Sequence, residues 1–405
     1  MKRTISSLLV SAAFAASAGV AQAQVSDGVV KIGVMNDMSA LYADIAGPGS
    51  VVAAKMAVED FQKASKAGLK VEIVSADHQN KPDVGSSLAR KWYDTENVDA
   101  IFDVPTSSVG LAVSQVSREK GKAFINSGSA TSDLTGKACS PNTIHWVYDT
   151  WMLANGTGSA VVKTGGDTWY FLTADYAFGH ALERDTEAVV LKNGGRIVGK
   201  VRHPLNNQDF SSFLLQAQAS KAKVIGLANA GGDTINSIKQ AAEFGITKAG
   251  QNLAGLLVFI NDIHGVGLDK AQGLLVTETF YWDLNDQTRA WSKRFAAAHG
   301  GKMPSMVQAG VYSSVLHYLK AVEAGKTDDG TKVVAKMKEL PTDDPLFGKG
   351  SIRADGRKLH PAYLFEVKKP SESKGAWDYY KLRATIPADQ AFRPIDQGEC
   401  ALVKK

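Results

Sequence analysis

The chain has 405 residues, with 46 Lys and Arg against 41 Asp and Glu, a net charge of +5 and 44% hydrophobic residues. That length exceeds what one hydrophobic core usually serves, so two lobes are expected. The small positive excess comes without a long basic run, which argues against a nucleic-acid partner.

The N-terminus reads as an export signal. Lys2 and Arg3 are followed by residues 4–20, which carry no charge and are rich in Leu, Val, Ala and Phe, and Ala21-Gln22-Ala23 closes the run with small residues. That order predicts a secretory signal peptide (1–23), cleavage after Ala23 and a periplasmic protein. A membrane anchor would need a longer run, less diluted by Ser and Ala. Losing Lys2 and Arg3 lowers the net charge from +5 to +3. No other run of about 18 apolar residues follows, so the mature chain is expected to be soluble. An even cysteine count in an exported chain predicts one disulfide, Cys139–Cys400, worth at most about 5 kcal/mol by loop-closure entropy.

Beyond the signal, strand-like apolar runs alternate with helix-like amphipathic ones. VVKIGVM (29–35) is a strand, 48–66 a helix, VEIVSAD (71–77) a strand and 83–93 a helix. DAIFDVP (99–105), a helix at 109–119 and KAFINSG (122–128) continue the pattern. It restarts after Trp151: helix 151–164, strand TWYFLTA (168–174), helix 179–193, strand RIVGKVRHP, helix 209–220, strand KVIGLAN (223–229), helix 232–245 and strand LAGLLVFI (253–260). GLLVTETFYW (273–282) reads as a strand returning toward the first lobe, followed by helices 287–299 and 305–324 and a hairpin-like tail. Such alternation predicts an α/β chain of two doubly wound, Rossmann-like lobes. Residues 24–148 and 280–345 are assigned to lobe 1, and 149–279 and 346–405 to lobe 2.

Open α/β sheets bind ligands beyond the carboxyl ends of their strands. The residues that follow each strand are therefore the candidates. They are Tyr42 after the first strand, Ser107 and Ser108 after DAIFDVP, and Ser129 and Thr131 after KAFINSG. In the second half they are Asp175, Tyr176, Asn229, Asp233 and Asp262; Tyr148 lies between the halves and Tyr281 ends the returning strand. Hydroxyls and backbone N–H groups at helix starts hold carboxylates, carboxylates hold amines, and rings cover an apolar body. Each Ser, Thr, Asp or Asn also has a plain reading as a helix cap.

VKIGVMNDMSALYADIAGPGSVVAAKMAVEDF (30–61), TADYAFGHALERD (173–185) and IKQAAEFGI (238–246) resemble the leucine/isoleucine/valine-binding family of periplasmic proteins. The resemblance implies the type I periplasmic-binding fold, with three crossovers between lobes that close on ligand. It implies that the Ser107–Ser108 and Ser129–Thr131 turns grip a ligand carboxylate, and that a small-molecule ligand passes to an inner-membrane ABC transporter permease. Asn261-Asp262 stands where leucine binders carry Glu, and Asn-Ala-Gly-Gly-Asp (229–233) where they carry an aromatic residue. The ring-rich rim of Tyr42, Tyr148, Trp151, Tyr176, Phe280 and Tyr281 suits an aromatic acid, so amino acid and aromatic acid both stay open.

Other classes find less support. Ser127-Gly128-Ser129-Ala130-Thr131 lacks the Gly-x-Ser-x-Gly pattern of a hydrolase elbow. The eight histidines show no paired metal spacing. No Gly-x-Gly-x-x-Gly follows the first strand, so no dinucleotide cofactor is expected. The expectation is a monomeric solute-binding protein with no cofactor, metal or catalytic residue. A ligand sensor of the same fold is the alternative, and a periplasmic hydrolase a remote one.

Overall fold

The computed structural model describes residues 25–404; the predicted signal and its cleavage point after Ala23 lie outside the described residues. The first half runs β1 (Val29–Asn36), α1 (Gly47–Ala64), β2 (Lys70–Asp77), α2 (Pro82–Thr95), β3 (Ala100–Asp103), α3 (Ser107–Lys120), β4 (Ala123–Asn126) and β5 (Thr143–His145). Its parallel sheet has the order β2-β1-β3-β4-β5. The second half runs α4 (Thr150–Leu153), a single π-turn (Ala154–Gly158), α5 (Ser159–Lys163), β6 (Thr168–Ala174), α6 (Ala177–Lys192), β7 (Arg196–His203) and α7 (Ser211–Ala219). It continues through β8 (Val224–Ala228), α8 (Gly232–Glu243), β9 (Asn252–Gly255), α9 (Ile260–Val266) and α10 (Leu268–Ala271). That sheet is also parallel, in the order β7-β6-β8-β9.

The two sheets share one geometric device. In each, the first strand is flanked on one side by the second and on the other by the third, so the helices that follow leave in opposite directions. A crevice opens at that switch point, between β1 and β3 in one lobe and between β6 and β8 in the other.

The rest of the chain closes the lobes together. After β10 (Leu275–Glu278) come α11 (Asp286–Ala298), α12 (Met306–Gly325) and α13 (Gly330–Glu339), which return to lobe 1, where α12 packs along α1. Ser305 starts α12 with a reciprocal cap: its Oγ accepts from Gln308 N at 3.2 Å and Gln308 Oε1 accepts from Ser305 N at 3.0 Å. Then come β11 (Thr342–Asp344), β12 (Gly348–Ile352), β13 (Lys358–Leu359), β14 (Ala362–Val367), β15 (Tyr380–Ile386) and α14 (Ala388–Ala391). β10, β14 and β15 form an antiparallel sheet in lobe 2. Residues 346–405, expected with lobe 2, divide their contacts. Arg357 bridges His145 at the edge of the first sheet, and Cys400 is bonded to Cys139 as predicted.

Two predicted strands are shorter than read. β9 stops at Gly255 and β10 at Glu278. Leu256 to Phe259 are buried and apolar, which mimics a strand in sequence. The Asp262 carboxylate accepts the Phe259 N–H at 2.9 Å and starts α9 there instead.

Where the chain crosses between lobes, two cations are fully buried. Arg357 reaches Val147 O at 3.0 Å and Asp149 Oδ2 at 3.5 Å, with its guanidinium 4.4 Å from the Phe392 ring. Lys358 lies 3.6 Å from Asp344 Oδ2 and 4.5 Å from the Trp146 ring. Burial pulls Arg357 down to about 10 and Lys358 to about 8. The tail also passes between the lobes: from β15 it meets Asn155 through Gln390 O, passes Arg357 with Phe392, and reaches lobe 1 through Arg393 and Cys400.

Candidate functional site

The turns after the strands at both switch points meet around one small cavity of about 200 Å³. Tyr42 and Ile45 come from the turn after β1, Pro105 from β3, Gly128 and Ala130 from β4, and Tyr148 from the crossing. Tyr176 and Phe178 come from the turn after β6, Ala230 from β8 and Leu257 from β9. A larger hollow lies at the opposite, amino-terminal ends of the lobe 2 strands, lined by Gly166, Lys223 and Asn252. Strand carboxyl ends carry the ligand in this architecture, so the small cavity between the lobes is the candidate site.

The lobes touch across it. The Tyr42 and Tyr176 hydroxyls are 2.6 Å apart, and Gly232 N meets Leu41 O at 3.4 Å. Burial raises all three phenols; Tyr176 raises Tyr42 further, while the hydrogen bond from Tyr42 partly offsets the rise at Tyr176. All three stay neutral hydrogen-bonding groups. Gly231, at φ +58, makes this contact possible: a Cβ there would stand 2.6 Å from Leu41 O.

On the lobe 1 side, two turns are tied into a cradle. Ser129 Oγ donates to Val104 O at 2.5 Å and to Thr106 O at 3.2 Å, and Asn126 Oδ1 accepts from Ser129 N at 2.8 Å. Thr131 N donates to Ser107 Oγ at 3.2 Å, and Thr131 Oγ1 accepts from Asp133 N at 3.3 Å. Tyr148 donates to Gly128 O at 2.7 Å. The predicted hydroxyls of Ser107, Ser129 and Thr131 are thus brought together, but they brace the turns; Ser108 is half-exposed on the first turn of α3. What the cradle offers is backbone. Thr106, at the N-cap of α3, points its hydroxyl at Asn80, and no side chain caps the helix. The first N–H groups of α3 and its dipole therefore favour an anion.

On the lobe 2 side, the polar predictions separate from the cavity. Asp175 faces solvent, paired with His180 at 2.7 Å and Arg202 at 3.6 Å. Asn229 is fully buried in a network with His203, Ser237 and Thr234. Asp233 accepts the N–H groups of Asn206 at 3.1 Å and Asn207 at 2.8 Å, and burial raises it to about 7. Asp262, raised by burial to about 7, starts α9 and lines only the cleft mouth, with Asn261 and Asp44. Tyr281 donates to Trp377 O at 3.3 Å and packs edge-on against Phe365 in the β10–β14–β15 core, and Phe280 packs on Trp291. The apolar liners Ile45, Pro105, Phe178, Ala230 and Leu257 were not anticipated; in sequence they look like core. Among the described residues there is no metal-ligating cluster and no helix long and apolar enough to cross a membrane.

The comparisons agree with this architecture. A family model described as periplasmic binding protein matches residues 29–376. A periplasmic binding protein from Burkholderia mallei is 54% identical, with a TM-score of 0.90 over 93% of this chain and 100% of its own. A branched chain amino acid ABC transporter periplasmic ligand-binding protein from Burkholderia xenovorans LB400 is 41% identical, with a TM-score of 0.81 over 92% of this chain and 99% of its own. The Leu/Ile/Val-binding protein homolog 6 of Brucella melitensis is 25% identical, over 92% of this chain and 94% of its own. The chain belongs to the periplasmic binding protein family.

Proposed function

We propose that this protein is the periplasmic solute-binding component of an ABC importer, and that its ligand is a small monocarboxylate with an apolar or aromatic body. The observation that carries this reading is the cavity itself: about 200 Å³, lined by three phenols and apolar side chains, beside the uncapped start of α3. The carboxylate meets the helix N-terminus, and the rings of Tyr148, Tyr176 and Phe178 cover the body.

An amino acid would need a carboxylate partner for its ammonium. Asp233 and Asp262 hold backbone N–H groups, and Asp175 faces outward, so the acid without an amine is the better fit. Ligand favours the closed form because only there do both faces contact it together. The closed form is then read by an inner-membrane permease, after export and cleavage of the signal. The protein acts as a monomer without catalysis: the Ser129 hydroxyl is bound to two carbonyl oxygens, which suits a brace and not a nucleophile.

A thermal-shift screen tests this, because a ligand specific for the native state raises the melting temperature. Benzoate and hydroxybenzoates are expected to raise it more than leucine, isoleucine or valine at equal concentration. The reverse order would overturn the monocarboxylate reading.

A further inference from the structure

One carboxyl lies directly behind the cradle and has no role in the account above. Asp103 ends β3, is fully buried and sits at φ +81. The next residue, Val104, is at φ +58, a strained conformation for a β-branched side chain. Strain of this kind persists where the surroundings enforce it, and it clusters at binding sites. Here the twisted pair aims Pro105 and the start of α3 at the cavity. Asp103 O also accepts the N–H groups of Ser127 and Gly128, each at 3.3 Å.

The Asp103 side chain is poorly compensated. Oδ2 accepts from Asn36 Nδ2 at 3.1 Å, while Oδ1 has no partner. Oδ1 stands 3.0 Å from the position of a Cβ on Gly128, and Gly128 lines the cavity. The carboxyl is therefore one glycine away from the ligand space.

The groups facing Asp103 can be taken element by element. From β1 comes the Asn36 amide. From the first turn of α1 comes the Ser50 hydroxyl, near the carboxyl but outside good hydrogen-bond geometry. From the crossing comes the Tyr148 phenol, itself held neutral. Asp37, next along the chain from Asn36, turns its carboxylate to the N–H groups of Ser39, Ala40 and Tyr42 and to Asn80. His78, beyond β2, is pulled by burial to about 4 and is neutral, its Nδ1 accepting from Asn80 N. No salt bridge reaches Asp103 among the described residues.

An ionised Asp103 and a ligand carboxylate would thus face each other across Gly128, with no basic side chain of the described residues paired to Asp103. In low dielectric that repulsion is large, and the less costly state is the one in which Asp103 carries a proton. We infer that the cradle takes up its anion together with a proton on Asp103, so that solute capture is proton-coupled, with Asp103 as a positioning residue of the cradle. Burial places Asp103 at about 7 in the free protein, and a bound anion raises it further. Affinity is then level in mild acid and falls by up to tenfold per unit above neutrality. This inference rests on the monocarboxylate reading of the site.

The test is calorimetric titration of the mature protein with benzoate at pH 6.0 and 8.5, in buffers of different ionisation heat. The expected result is dissociation about 30-fold stronger at pH 8.5 and close to one proton taken up per benzoate bound at pH 8. Asp103→Asn mimics the protonated carboxyl and tolerates positive φ. At pH 8.5 it should recover the affinity that the natural protein has only in mild acid. A flat profile in the natural protein, or a slope surviving in Asp103→Asn, overturns the coupling. A separate arm needs no ligand: the carboxyl carbon of Asp103, followed by NMR and assigned with Asp103→Asn, should titrate near neutrality. Titration near pH 4 overturns the coupling whatever the ligand. If Asp103 titrates near neutrality but benzoate fails to bind at either pH, it is the monocarboxylate reading that falls, and the coupling with it.

Discussion

The two faces of the cleft are built from the same turns in opposite ways. Lobe 1 spends its Ser and Thr hydroxyls on bracing, with Ser129 and Ser107 tying the 104–107 and 129–131 turns together, and sets the uncapped backbone of α3 beside Tyr42, Ile45 and Pro105. Lobe 2 spends its polar side chains on its own loops and presents rings and small apolar groups: Tyr176, Phe178, Ala230 and Leu257. On the reading proposed above, one face meets the charge of the ligand and the other its shape. A polar residue at a strand end is thus evidence that a turn is held, and only sometimes that a ligand is.

The contrast can be broken or sharpened by experiment. The largest effect expected is on stability against pH. Burial raises Asp233 and Asp262 to about 7 and Glu278 to about 8. Between about pH 4, where these groups ionise in the unfolded chain, and those values, the folded protein holds more protons. Its stability therefore falls as pH rises through that window, on the order of 1 kcal/mol per unit for each such carboxyl, in urea unfolding of the apo protein. A curve that rises from pH 5 to pH 7 would show that these carboxyls are ionised in the fold.

Next comes Asn229→Ala, which leaves His203, Ser237 and Thr234 without their shared partner. It should cost about 2 kcal/mol in urea unfolding and leave ligand affinity within about twofold. A large loss of affinity without a loss of stability would return Asn229 to the site. Gly231→Ala sets a methyl against Leu41 O. It should weaken binding about tenfold, roughly 1.4 kcal/mol, and reduce the ligand-induced contraction seen by small-angle scattering. Tyr176→Phe removes one hydrogen bond between the lobes and should cost about 1 kcal/mol of affinity in calorimetry. Asp175→Ala breaks only exposed pairs; affinity should not move and stability should change by less than about 0.5 kcal/mol.

The doubly wound lobes were legible because strand and helix periods alternate cleanly from Val29 to Gly255, and the strand order then places the cleft. Tyr42, Tyr148 and Tyr176 were legible because a phenol at a junction has few structural duties. Asp233 and Asp262 hold backbone N–H groups, and in sequence a carboxylate that does so has the same context as one that meets a ligand. Ile45 and Leu257 were hidden for the converse reason, since an apolar wall and an apolar core read alike. Arg357 and Lys358 sit in a Gly-containing hairpin that reads as surface. Only the crossing of distant segments buries them against Asp149 and Asp344.

The Cys139–Cys400 bond closes a ring of chain spanning 261 positions. Every strand of the second sheet lies inside that ring, and β1 to β4 lie outside it. Lobe 2 is thereby an insertion in a covalently closed frame, and the tail that leaves it cannot drift away when it loosens. Partial unfolding of lobe 2 keeps its ends at the edge of lobe 1, so a chain that is jostled open retains a short way back.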